Sequence, residues 1–121
     1  MEVASIILRS DDVERSTAFW SQSVGLDITD QYPGFSFLDG GSVTIIISAI
    51  DRPIADESLT EVVLASEDVR ETYAEMAARG VPFEDELGPP IMSSEGRDLI
   101  AAYFQDPDGH YGRLTGWVVS E

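Results

Sequence analysis

The chemistry open to this chain is narrow, because it has no cysteine and a single histidine. Disulfides, thiolate metal sites and a cysteine nucleophile are excluded on that count. His110 follows Asp106-Pro107-Asp108-Gly109 directly and reads as a turn residue, and a lone histidine carries little functional weight. No Ser/His/Asp arrangement, phosphate-binding glycine loop or redox motif is present, and Asp39-Gly40-Gly41 reads as a hairpin turn without the helix a phosphate cradle needs. What remains is carboxylate and guanidinium chemistry on strands. Alternation of side chains places Tyr111, Arg113 and Thr115 on one face, as it does Ser5, Ile7 and Arg9, and Glu61, Val63 and Ala65. Phe35, Phe37, Tyr103 and Trp117 lie on strands or strand ends, and aromatic walls with few polar groups suit a flat or amphipathic ligand.

The elements that position these residues are legible in a repeat. SIILRSDDV, from Ser5 to Val13, returns 56 residues later as EVVLASEDV, from Glu61 to Val69. Each copy reads as an apolar strand running into a helix cap, with Ser10, Asp11 or Asp12 able to accept from the free N–H groups that open the first helix. In the first half the pattern predicts a strand over Val3 to Arg9, a helix over Val13 to Ser23, and strands over Leu26 to Gln31, Phe35 to Leu38 and Ser42 to Ser48. In the second half it predicts a start at Thr60, a helix over Val69 to Ala78, and strands near Pro82 to Glu84, Leu99 to Phe104 and Tyr111 to Trp117. Glu86 to Arg97 reads as a loop and candidate lid. The order is βαβββ twice, an α+β domain spanning 1–121, with one module over about 1–49, a linker over about 50–58 and a second module over about 59–121.

Two stretches resemble a known family. DDVERSTAFWSQSVGLDI is similar to the opening helix of the vicinal oxygen chelate superfamily, which includes glyoxalase I, extradiol dioxygenases and bleomycin-resistance proteins, and YFQDPDGHYGRL is similar to its closing hairpin. The resemblance implies paired βαβββ modules with pseudo-twofold symmetry, forming a U-shaped, mixed but mostly antiparallel sheet around a cavity. It also implies that metal-dependent members take ligands at positions that fall here on Ser5, Glu61 and Arg113, with about Ile45 as the first-half counterpart of the last. One donor in four is too few for a divalent ion, and a guanidinium repels one, so no metal and no cofactor are expected. The expected ligand-binding set is Ser5, Phe37, Ile45, Glu61, Tyr103, Tyr111, Arg113 and Trp117. Glu61 and Arg113 are the candidate catalytic residues if the protein is an enzyme.

Composition narrows the partners. The chain carries 23 acidic residues against 7 arginines and no lysine, a formal charge of −16. That field repels nucleic-acid phosphates and anionic lipid, and it raises the local concentration of a cation. With no signal-like or membrane-spanning run at the start of the sequence, a cytoplasmic protein is expected. Two functions follow. One is a metal-free protein that sequesters a cationic or aromatic small molecule, as the likeness to bleomycin-resistance proteins implies, working as a homodimer. The other is a metal-independent isomerase, cyclase or lyase, with Glu61 as base and Arg113 stabilising an oxyanion.

Overall fold

The repeated Ser-x-Asp-Val signature makes the same hydrogen bonds twice in the computed structural model, which describes residue 3, residues 5–50 and residues 61–120. Ser10 Oγ accepts from the Asp12 N–H at 3.0 Å, and Asp12 Oδ1 accepts from the Arg15 N–H at 3.0 Å. Ser66 and Asp68 repeat the arrangement toward the Asp68 and Glu71 N–H groups, each at 3.2 Å. Each Asp thereby satisfies a donor that the first helical turn leaves without an intrahelical partner.

The chain divides into two compact units, one drawn from 1–57 and 106–109 and the other from 58–105 and 110–121. In the first, β1 (Ser5–Ser10) leads into α1 (Val13–Ala18), then β2 (Ile28–Tyr32), β3 (Phe35–Asp39) and β4 (Thr44–Ala49). The sheet order is β1-β4-β3-β2, with β1 parallel to β4 and the other pairs antiparallel. In the second, β5 (Glu61–Ala65) leads into α2 (Val69–Ala78), then β6 (Met92–Ser94), β7 (Arg97–Gln105) and β8 (Tyr111–Val119). Its order is β5-β8-β7-β6, again with one parallel pair, β5 and β8. The fold class is therefore α+β, built from two βαβββ modules. Among the described residues no helix is long and apolar enough to cross a membrane.

Each sheet has a helix-covered face and an open face. In module 1 Leu8, Leu38, Ile45 and Ile47 are buried, and Thr17 of α1 donates to Ser36 Oγ at 3.0 Å across that core. In module 2 Phe104 and Leu114 are buried, and a methyl group added at Gly116 would come within 2.6 Å of both the Ser66 carbonyl and Val69. The helix start lies flush on β8 there, so only hydrogen fits.

Several boundaries differ from the sequence reading. The first helix runs one residue beyond Ser23, and its second half, Phe19–Val24, is π-helical. Ser21 Oγ bonds the Thr17 carbonyl at 2.6 Å, a back-bond of the kind that bends helices, and the widened turn carries Trp20 wholly into the core. No strand forms at Pro82 to Glu84. The second strand of module 2 is instead β6, inside the stretch read as loop. Between them the chain follows the edge of β7 with sparse backbone bonds, from Glu84 to the Tyr103 carbonyl, Gly88 to Ala101 and Ile91 to Leu99. Pro89 and Pro90 have no N–H to give, so a regular ladder cannot form until Met92. Of the linker read over 50–58, all but Ile50 lies outside the described residues, as does the start read at Thr60.

Candidate functional site

Register decides which side chains share an open face. In module 2, Glu61 pairs with Tyr111, Val63 with Arg113 and Ala65 with Thr115. Across the next ladder Tyr103 pairs with Arg113 and Leu99 with Trp117. Glu61, Tyr103, Tyr111, Arg113 and Trp117 therefore all stand on one face of the second sheet, away from α2. In module 1, Ser5 pairs with Thr44, and Phe37 pairs with Ile46, which itself faces Ile7. Ser5 and Phe37 stand on that module's open face.

Ile45 does not. It is 2 % exposed and shares the helix-covered face with Leu38, its partner across β3 and β4. A strand alternates every residue, so the position matching Ser5 and Ile7 on the open face is Ile46, one residue on. Ile45 serves the core.

At the centre of the module 2 face, the Arg113 guanidinium forms an ion pair with Glu61 Oε1, both side chains being about one-third exposed. The guanidinium carbon also lies 5.2 Å from the centre of the Tyr103 ring, a cation–π distance. Arg113 Nε is buried without a hydrogen-bond partner among the described residues. Arg113 is thus held by a carboxylate and an aromatic face while keeping unspent donor capacity.

Tyr103 also borders a groove. Asp85, Glu86, Leu87, Gly88, Pro89, Pro90 and Ile91 form one side, Ala101 and Tyr103 the other, enclosing about 730 Å³. That volume is of the size that holds small organic ligands, and the lining is mainly apolar. The proline-interrupted edge of β7 creates the space, because the chain arches away wherever it cannot pair. Sequence reasoning placed a lid in this stretch and missed the groove. The adjacent Pro89-Pro90 pair was the signal for it.

The geometry does not suit a divalent ion at the positions the family resemblance marks. In module 2 they supply one carboxylate, Glu61, already neutralised by Arg113. In module 1 they supply the Ser5 hydroxyl and, at the open-face position, an isoleucine. A divalent ion asks for several oxygen or imidazole donors, which neither set offers. As a general base, Glu61 would first have to leave Arg113.

The closing turn is tied down by hydrogen bonds, and it brings ligand-type atoms of Asp106, Asp108 and His110 within 4.8 Å of one another. Trp20 Nε1 donates to Asp106 Oδ2 at 2.9 Å in the core of the first unit, Asp106 Oδ1 accepts from the Asp108 N–H at 3.0 Å, and Arg15 reaches Asp108 at 2.8 Å. The Asp108 hydrogen bond and charge hold the Arg15 guanidinium above its ordinary pKa. His110 follows this turn, where the sequence placed it.

Comparison with known proteins bears on the fold. A family model described as Glyoxalase/Bleomycin resistance protein/Dioxygenase superfamily matches residues 2–112. No curated protein matches the sequence. Among solved structures, a glyoxalase/bleomycin resistance protein/dioxygenase from Alicyclobacillus acidocaldarius is 16 % identical with a TM-score of 0.76, covering 96 % of this chain and 91 % of its own. TioX from Micromonospora sp. ML1 is 17 % identical with a TM-score of 0.76, covering 96 % and 98 %. A glyoxalase-related enzyme from Fulvimarina pelagi is 17 % identical with a TM-score of 0.77, covering 95 % and 87 %. At such identities the likeness is one of fold.

Proposed function

Because the chain belongs to the Glyoxalase/Bleomycin resistance protein/Dioxygenase superfamily, we propose that it is a metal-free small-molecule-binding protein whose ligand sits on the open face of module 2. The observation that carries this reading is Tyr103, which forms a wall of the 730 Å³ groove and at the same time supports the Arg113 guanidinium. A ligand lying on Tyr103 would rest its apolar body against Leu87, Pro89, Pro90 and Ala101 and present an acceptor to Arg113. In a mainly apolar groove a few polar groups fix the orientation of a ligand. The Glu61–Arg113 pair favours binding over base catalysis, since each charge satisfies the other.

The test is a ligand screen by thermal shift, repeated with added divalent ions and with a chelator. Stabilisation by an organic ligand without turnover, unaffected by chelator, is the expected result. Arg113→Ala should then weaken a ligand bearing a carbonyl or carboxylate, and Glu61→Gln one held by its positive charge. Each should lose about tenfold or more, from roughly 1.5 to 3 kcal/mol for a charge-assisted contact. Turnover insensitive to chelator would move the reading to a metal-independent isomerase or lyase, and metal-dependent stabilisation would overturn the metal-free assignment. A ligand that binds both variants as tightly as the parent would place the site elsewhere.

A further inference from the structure

Module 1 carries an aromatic cluster that the reading above does not use. Tyr32 and Phe35 face each other across β2 and β3 and stack with ring centres 5.0 Å apart, while Phe37 stands nearly perpendicular to both at 5.9 and 5.7 Å. Such rings normally sit in a core. Here Tyr32 is 50 % exposed and Phe35 37 % exposed, on the open face of a sheet whose edge strand β2 is exposed along its length.

The surroundings of the rings are acidic. Asp30 pairs with Phe37 across the ladder and lies two residues from Tyr32 on the same strand, so its side chain shares their face. Asp39, at the other end of β3, is on this face too, and its Oδ1 is turned back to the Gly41 N–H at 2.8 Å. Among the described residues no basic side chain engages Asp30. Arg9 lies on the same face, paired through Ser48 to Phe35, but two strands away, at about 10 Å by strand spacing.

We propose that Asp30, Tyr32, Phe35 and Phe37 form a site for a small organic cation, of the quaternary or fully substituted ammonium class. The ring faces carry negative quadrupole, and a diffuse ammonium charge surrounded by methyl groups satisfies both the faces and the apolar surface around them. Asp30 supplies the counter-charge, and the −16 formal charge of the chain raises the local concentration of any cation. An apolar ligand would gain the surface but nothing from Asp30. An anion would meet two carboxylates.

The probe pair is choline and 3,3-dimethylbutan-1-ol, which share a shape and differ in charge, titrated against the whole protein while the aromatic ring signals are followed by NMR. Choline should shift Tyr32, Phe35 and Phe37 and bind at least about fivefold more tightly than the alcohol, with the preference shrinking as salt rises. Phe35→Leu should weaken choline about two- to fivefold while leaving the alcohol unchanged, as expected for loss of one exposed ring face. Asp30→Asn, on an exposed edge strand, preserves the fold and should also reduce the preference for the cation. Equal binding of the two probes would overturn the proposal and leave only an apolar patch. So would shifts confined to the Tyr103 and Tyr111 signals of module 2, or protection of the three rings by a second copy of the chain with no choline response. None of these outcomes bears on the module 2 reading, whose test uses Arg113 and Glu61.

Discussion

At the residue scale, the most committed polar group is Asp106. It is 5 % exposed and takes hydrogen bonds from Trp20 Nε1, which is wholly buried, and from the Asp108 backbone. Removing it strands the indole N–H in the core, and a buried donor left without its charged acceptor costs about 1 to 3 kcal/mol. Asp106→Ala should therefore lower the unfolding free energy by that amount in urea titration. Trp20→Phe, which removes the donor and leaves the carboxylate with the Asp108 N–H, tests the same bond from the other side and should destabilise as well. Gly116 is constrained by space instead. A methyl group there meets the Ser66 carbonyl and Val69 at 2.6 Å, so Gly116→Ala forces the backbone apart and should cost about 1 to 3 kcal/mol in the same assay.

At the scale of elements, two carboxyls make opposite contributions to the pH response. Asp98 of β7 accepts from Ser93 Oγ at 2.6 Å and Ser120 Oγ at 2.8 Å, and these hydroxyls hold it below its ordinary pKa. A carboxyl lowered on folding stabilises the native state above its unfolded pKa, and that stabilisation is lost as pH falls through the folded value. Asp98→Asn should therefore be less stable than the parent at neutral pH and lose less on acidification. Glu71, in the first turn of α2, is pushed up by Asp68 and then by Glu75. Its ionised form is disfavoured in the fold, so the cost is present above the folded pKa and disappears as pH falls below it. Glu71→Gln should be more stable than the parent at neutral pH, with the gain vanishing near about pH 3. Denaturant titrations of both variants at neutral and acid pH check the two signs.

At the scale of the whole molecule, the charge sets the terms of association. We propose a homodimer, since sheet edges such as β2 and β6 are left to cover. Two chains each near −16 repel, and salt screens that repulsion, so dimerisation should strengthen as ionic strength rises. Light scattering across a salt series measures this. A monomer at both low and physiological salt would remove the dimer.

The sequence by itself determined the repeat, the two βαβββ modules and the segments that cap the helices, because caps and strand alternation act over a few neighbouring residues. Val69–Ala78 matches its predicted span, and Ser10, Asp12, Ser66 and Asp68 bond as their spacing requires. The face shared by Glu61, Tyr111 and Arg113 was also legible, since parity within a strand needs only counting. Tertiary structure decided what counting between strands could not. The correspondence of Ile45 with Arg113 slipped by one residue, and in a period-two element one residue is the difference between open face and core. The register of β2 against β3 shifts between Ile28 and Asp30, an irregularity that no local pattern announces. The burial of Asp106 against Trp20 joins residues 86 apart, and the groove beside Tyr103 exists because the prolines of one segment meet the edge of another strand. Local propensity encodes elements, but a site is made by which elements lie side by side, and that is set by packing of the whole chain.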